Sequence, residues 1–156
     1  NTGDPAKSQL KWKWLKGESF DQLALGAPDM ATKYTLCLYD TTGSIPTLTT
    51  WLDVAPGSFW QTKDPKGWIY TDKPGSSDGV QKVQLKTGDA GKTKAQVKSR
   101  GANVPVPVPL SGSEYFDQDP SVIAQLISSE GMCLTSELGA AGTTKNDGSQ
   151  FKAKAP

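Results

Sequence analysis

The chain contains no histidine. Without an imidazole there is no Ser-His-Asp triad, no His-ligated zinc or copper and no ordinary haem ligation. Glutamate is scarce as well: Glu18, Glu114, Glu130 and Glu137 are the only four. A glycosidase needs two carboxyls facing each other across a cleft, about 5–10 Å apart. All four glutamates fall at predicted turns or strand ends. No Gly-x-Ser-x-Gly or Ser-x-x-Lys stands in a fitting context. Charge of one sign is missing too, because seventeen basic side chains nearly cancel sixteen acidic ones. Such a chain has no strong net field to draw in nucleic acid or an anionic membrane, and neither partner is expected. No run approaches the roughly 20 apolar residues that span a bilayer. Only two cysteines occur, Cys37 and Cys133. They fit either one disulfide in an exported protein or two unlinked core thiols. A bridge would close a long loop and contribute roughly 4–5 kcal/mol on the chain-entropy account.

What the chain does have is turn residues and alternation. Glycine and proline are frequent, at 16 and 11 of 156 residues, which favours short strands over helices in a single domain. The organising stretch runs from Gly67 to Pro109. Gly67–Asp72, Gly79–Lys86 and Lys92–Ser99 each alternate apolar or small residues with polar ones, the period of a half-buried strand. Gly, Pro, Asp and Ser fill the breaks. The stretch reads as a three-stranded antiparallel meander. Val104–Pro109 has proline at every second position, so it is extended and confined to an edge or a crossing between sheets.

Upstream, Gln9–Leu15 places Leu10, Trp12 and Trp14 on one face and Lys11 and Lys13 on the other. The tryptophan face is expected in the core. Ser19–Leu25 has room for one helical turn. Lys33–Asp40 is unbroken and β-rich, the mark of a central strand, and forms a hairpin with Thr47–Val54. Ser58–Thr62 is a short strand. Downstream, Ser121–Ser128 and Met132–Leu138 form another hairpin, Gly139–Asp147 reads as loop, and Gln150–Lys154 is a last strand. The expected fold is all-β: an antiparallel β-sandwich, Ig-like or jelly-roll-like, of about ten short strands over residues 9–156, behind an N-terminal tail of residues 1–8.

The stretch from Phe59 to Pro109 resembles a family of exported, β-rich bacterial proteins common in deltaproteobacteria. The residues that carry the resemblance are Trp60, Gly67-Trp-Ile-Tyr-Thr-Asp72 and Asp78-Gly-Val80. They continue with the lysine strand Lys82–Lys86, the turn Gly88-Asp-Ala-Gly-Lys92, the second lysine strand Lys94–Lys98, and Gly101-Ala-Asn-Val-Pro105. Tyr34–Asp40 is similar to the family's cysteine strand, and Ser129–Cys133 to its second cysteine turn. Relatives often carry further cysteines before the tryptophan and a tryptophan after that turn, where this chain has Phe59 and Leu134. The resemblance implies export and a β fold; it brings no activity and no catalytic residues. With export comes the expectation of a bonded Cys37–Cys133 pair. An extracellular or cell-surface location is expected too, reached through a signal peptide since removed.

Three site readings follow. Flat aromatic faces stack on sugars, and Trp60, Trp68 and Tyr70 lie near turns where exposure is expected. Glu114, Asp117 and Asp119 share one loop, whose oxygens suit calcium, although a solvated acidic loop is the simpler reading. No other cofactor is implied. The lysines at 82, 86, 92, 94 and 98 fall on adjacent strands, where lysine keeps an outer face soluble and guards edges. The function expected is therefore not enzymatic: an exported structural or interaction protein at the cell surface. Its sharper form is a self-assembling fibre or adhesive subunit whose tail, residues 1–8, adds to a neighbour's sheet. The alternative is a carbohydrate-binding module using the exposed tryptophans, and a small glycan-active hydrolase is the remote remainder.

Overall fold

The structure is a computed structural model that describes residues 4–41, 45–105, 121–147 and 150–155. It is an all-β antiparallel sandwich. Eleven strands follow in chain order: β1 Gln9–Gly17, β2 Tyr34–Asp40, β3 Thr47–Val54, β4 Trp60–Thr62, β5 Gly67–Thr71, β6 Val80–Lys86, β7 Thr93–Arg100, β8 Val122–Ser128, β9 Cys133–Leu138, β10 Thr143–Asp147 and β11 Gln150–Ala153. One sheet has five strands in the order β1-β7-β6-β5-β4, and the facing sheet four in the order β3-β2-β8-β9. The meander β5-β6-β7 and the hairpins β2-β3 and β8-β9 are as the turn signals require. β1 is the strand that could not be placed from sequence; it returns to pair antiparallel with β7, Trp12 opposite Val97.

The core forms where the alternating apolar faces meet. Trp12, Val83, Leu85, Ala95 and Val97 from one sheet pack with Leu36, Leu52, Ala124, Leu126 and Leu134 from the other. Burying a large aliphatic or aromatic side chain stabilises by roughly 1.5–3 kcal/mol, so this interface dominates the fold. It also contains a polar tie: the Trp12 indole Nε1 donates to Ser136 Oγ at 3.2 Å, from the five-stranded sheet to the four-stranded one. Close approach fixes one glycine at the start of β5, where a Cβ on Gly67 would lie 1.9 Å from the Leu85 carbonyl oxygen. Between the sheets, residues 18–33 cross over, making the single helical turn Leu23–Leu25 on the way. The crossover is anchored where the buried Tyr34 hydroxyl donates to the Leu25 carbonyl at 2.7 Å.

Two expectations change, for Thr143–Asp147 and for the cysteines. Thr143–Asp147, read as loop, is a strand paired with β11; its residues are almost wholly polar and give no apolar alternation to detect. The described part of the tail is tied to its own domain at Ser8. Pro5–Lys7 forms a 3-10 turn capped by Asp4, Ser8 is buried, and Gly101 N donates to the Ser8 carbonyl at 2.9 Å. The expected disulfide is absent: Cys37 and Cys133 are free thiols. Cys37 lies on β2 and Cys133 on β9, and β8 runs between them, pairing Cys37 with Gln125 and Cys133 with Ile127. Two strand spacings put their Cα atoms about 10 Å apart or more, beyond the ~7 Å that a bridge can span. Among the described residues, no helix is long and apolar enough to cross a membrane.

The tie between the sheets is testable. Ser136→Ala leaves the buried Trp12 N–H without its acceptor and is expected to cost about 1–3 kcal/mol in urea unfolding. A variant as stable as the parent would show that the bond contributes nothing.

Candidate functional site

The aromatic residues expected to stack on sugars are in the core. Trp60, Trp68 and Tyr70 are 3%, 7% and 2% exposed. The register explains why: Tyr70 pairs with Trp60 on β4 and with Val83 on β6, and Trp68 pairs with Leu85, so all three side chains take the inward positions. The rings of Trp60 and Tyr70 pack on one another. The Trp60 centroid lies 5.3 Å from Tyr70 and 5.5 Å from Tyr34. Trp60 Nε1 donates to the Ala55 carbonyl at 3.0 Å, while the buried Trp68 Nε1 has no acceptor among the described residues. Burial, with the Asp72 carboxylate beside it, pushes the Tyr70 phenol up to about 12. None of the three offers a face to a ligand. Glu114, Asp117 and Asp119, the residues expected to suit calcium, lie outside the described residues.

Next to this cluster is a cleft of about 330 Å³ lined by the 55–59 turn, Tyr70, Ser76 and Ser77. Two of its serines are engaged with groups behind the lining. Ser76 donates to the buried Asp72 Oδ2 through both its amide, at 2.7 Å, and its hydroxyl, at 2.6 Å. Ser77 Oγ donates to the Asp53 carbonyl at 2.8 Å. Burial raises the Asp72 carboxyl, but the bonds from Ser76, the Gly75 amide and the Tyr70 hydroxyl together outweigh it and hold the group below the usual carboxylate range. The arrangement pins the turn after β5.

The cysteines share the outward side of the four-stranded sheet but differ in environment. Cys133 is exposed, whereas Cys37 is covered and burial pushes its thiol up, only partly offset by the Tyr39 hydroxyl.

The feature that sequence reasoning read only in part is the outer face of the five-stranded sheet. Its five strands contain Lys11, Lys13, Lys16, Lys82, Lys86, Lys94, Lys98 and Arg100, and not one aspartate or glutamate. With Trp12, Val97 and Val83 turned inward, the alternate positions put the cations outward. Register then aligns them. Lys11, Lys98 and Lys82 stand directly opposite one another across β1, β7 and β6, and Lys94 stands opposite Lys86. Between these two rows lies a row of Lys13, Gln96 and Gln84. Lys94 Nζ donates to Gln84 Oε1 at 3.2 Å. The facing sheet has the reverse composition: no lysine or arginine, but Asp40, Asp53 and Glu137. The signal available in sequence was half of this face, the lysines of β6 and β7. The other half, from β1, is brought in only by a pairing between residues nearly ninety positions apart.

Two outcomes are expected from this geometry. In the native protein one thiol, that of Cys133, reacts with a maleimide at neutral pH, and Cys37 labels only on unfolding; raising the pH increases native labelling of Cys37. Two fast thiols, or none even after denaturation without reductant, would contradict it. Truncation of Trp68 to Ala is expected to destabilise by roughly 3–5 kcal/mol. Trp60→Phe should cost about 1 kcal/mol more than Trp68→Phe, because only Trp60 loses a hydrogen bond. Equal costs in denaturant titrations would refute the assignment.

No protein-family model, no curated protein and no solved structure matches this chain.

Proposed function

We propose that the protein is a non-catalytic interaction module, exported and working at the cell surface, whose binding surface is the basic outer face of the five-stranded sheet. Its ligand is a polyanion. The observation that carries this reading is the alignment of like charges. Lysines directly opposite each other on neighbouring strands repel, and a face that served solubility alone would be more stable with the two signs mixed. Here Lys11, Lys98 and Lys82 form an unbroken row across three strands. No acidic residue occurs in those strands to offset them. An anionic polymer relieves the repulsion and releases its own counterions on binding, which makes the affinity steeply salt-dependent. The small net charge does not weaken this reading, because screening confines the field that matters to within about 10 Å of the face.

A heparin column tests it. The parent protein is expected to be retained at about 50 mM salt and to elute as salt rises. Lys11→Gln/Lys82→Gln/Lys98→Gln should pass through, with a melting temperature at low salt equal to or above the parent's. A control of the same net charge, Lys63→Gln/Lys66→Gln/Lys73→Gln, removes lysines that lie off the face and should elute close to the parent. Passage of the parent through the column, or equal loss in both triple variants, would sink the proposal.

A further inference from the structure

We infer that the polyanion is a linear acidic polysaccharide and that it lies along β7. This rests on the polyanion reading above and narrows it. The shape of the charge is the first reason. Lys94, Lys98 and Arg100 run down β7, from a position opposite Lys86 to one opposite Gln9, a length of about 20 Å over six residue steps. Lys11 and Lys13 flank that line on the β1 side, and Lys82 and Lys86 on the β6 side. On the same face β5 and β4 offer Ile69, Thr71 and Gln61, which are uncharged. The cations therefore make a stripe over one part of the sheet. A planar anionic membrane would meet the whole face, whereas a single extended chain fits a stripe.

The second reason is the chemistry along it. The stripe has one arginine to its lysines, and bidentate phosphate recognition favours arginine. No aromatic side chain stands among those cations, so bases have nothing on which to stack. Among the described residues, no helix stands on this face of the sheet to enter a groove. In their place, the Gln84 amide stands between the two lysine rows, beside the buried Gln96. The Gln84 amide oxygen is occupied by Lys94 at 3.2 Å, which leaves its NH2 as the group on offer to a ligand. An amide donor between ammonium groups suits a polymer that alternates carboxylates or sulfates with neutral hydroxyls.

The test compares polygalacturonate, duplex DNA and vesicles of phosphatidylglycerol with phosphatidylcholine, by calorimetry at one ionic strength. Polygalacturonate is expected to bind most tightly. Gln84→Ala should weaken it about fivefold, the value of one hydrogen bond, without changing the salt dependence. Gln84→Glu keeps the side chain's size, adds a repelling charge and should weaken it further; Lys98→Gln should reduce both affinity and salt dependence. Tighter binding of DNA or vesicles overturns the polysaccharide assignment and leaves the polyanion reading in place. So does an unchanged polygalacturonate affinity in both Gln84 variants, each shown folded by its melting transition. Failure of all three probes to bind overturns both.

Discussion

The structure depends on two sheets hiding one face each from water. Neither sheet is stable with its apolar side wet, and each supplies what the other needs. Trp12, Val83 and Val97 from one meet Leu36, Leu126 and Leu134 from the other. The Trp12–Ser136 bond lets the indole be buried without an orphaned donor. Everything on the outside follows from that choice of inside. Because side chains alternate, the lysines of β1, β6 and β7 have only one place to go once the valines and tryptophan are buried. The basic face is thus made by the same packing that makes the core.

The chain is nearly neutral, yet its charges are sorted. Of the two large sheets, one has the cations in its strands and the other the carboxylates. Of those, Asp53 is held by Lys33 at 2.8 Å and by the Thr35 hydroxyl at 2.7 Å. Burial raises its carboxyl, but these bonds more than offset it and leave it below its ordinary range. The lysine rows have no comparable carboxylates within their own strands. A paired charge on one face and aligned, repelling charges on the other mark the second as the surface with an energetic reason to take a partner. The tryptophans, the residues that first suggest sugar binding, serve the core instead. The inference of a glycan ligand therefore passes from stacking to charge and hydrogen bonding.

Much of the architecture was legible in the sequence because its determinants are local. Alternation over five to nine residues and turn residues between runs define the meander and both hairpins. They also show that Lys11 and Lys13 point away from Trp12. β10 escaped because Thr-Thr-Lys-Asn-Asp has no apolar period, and its pairing with β11 supplies what its composition does not.

The tertiary structure alone decided three matters, each a question of which distant strands become neighbours. Insertion of β8 between β2 and β9 separates two cysteines that composition invites one to join. Alternation permits either side of the meander to face inward, and the second sheet chose the side with Trp68 and Tyr70. The pairing of β1 with β7 brought Lys11 beside Lys98 and completed the basic stripe. Sequence determines the faces of each strand because side-chain direction is set within the strand by backbone geometry. It leaves the assembly of faces open, because strand order is fixed by contacts between residues far apart in the chain, and those exist only once the two sheets close on each other.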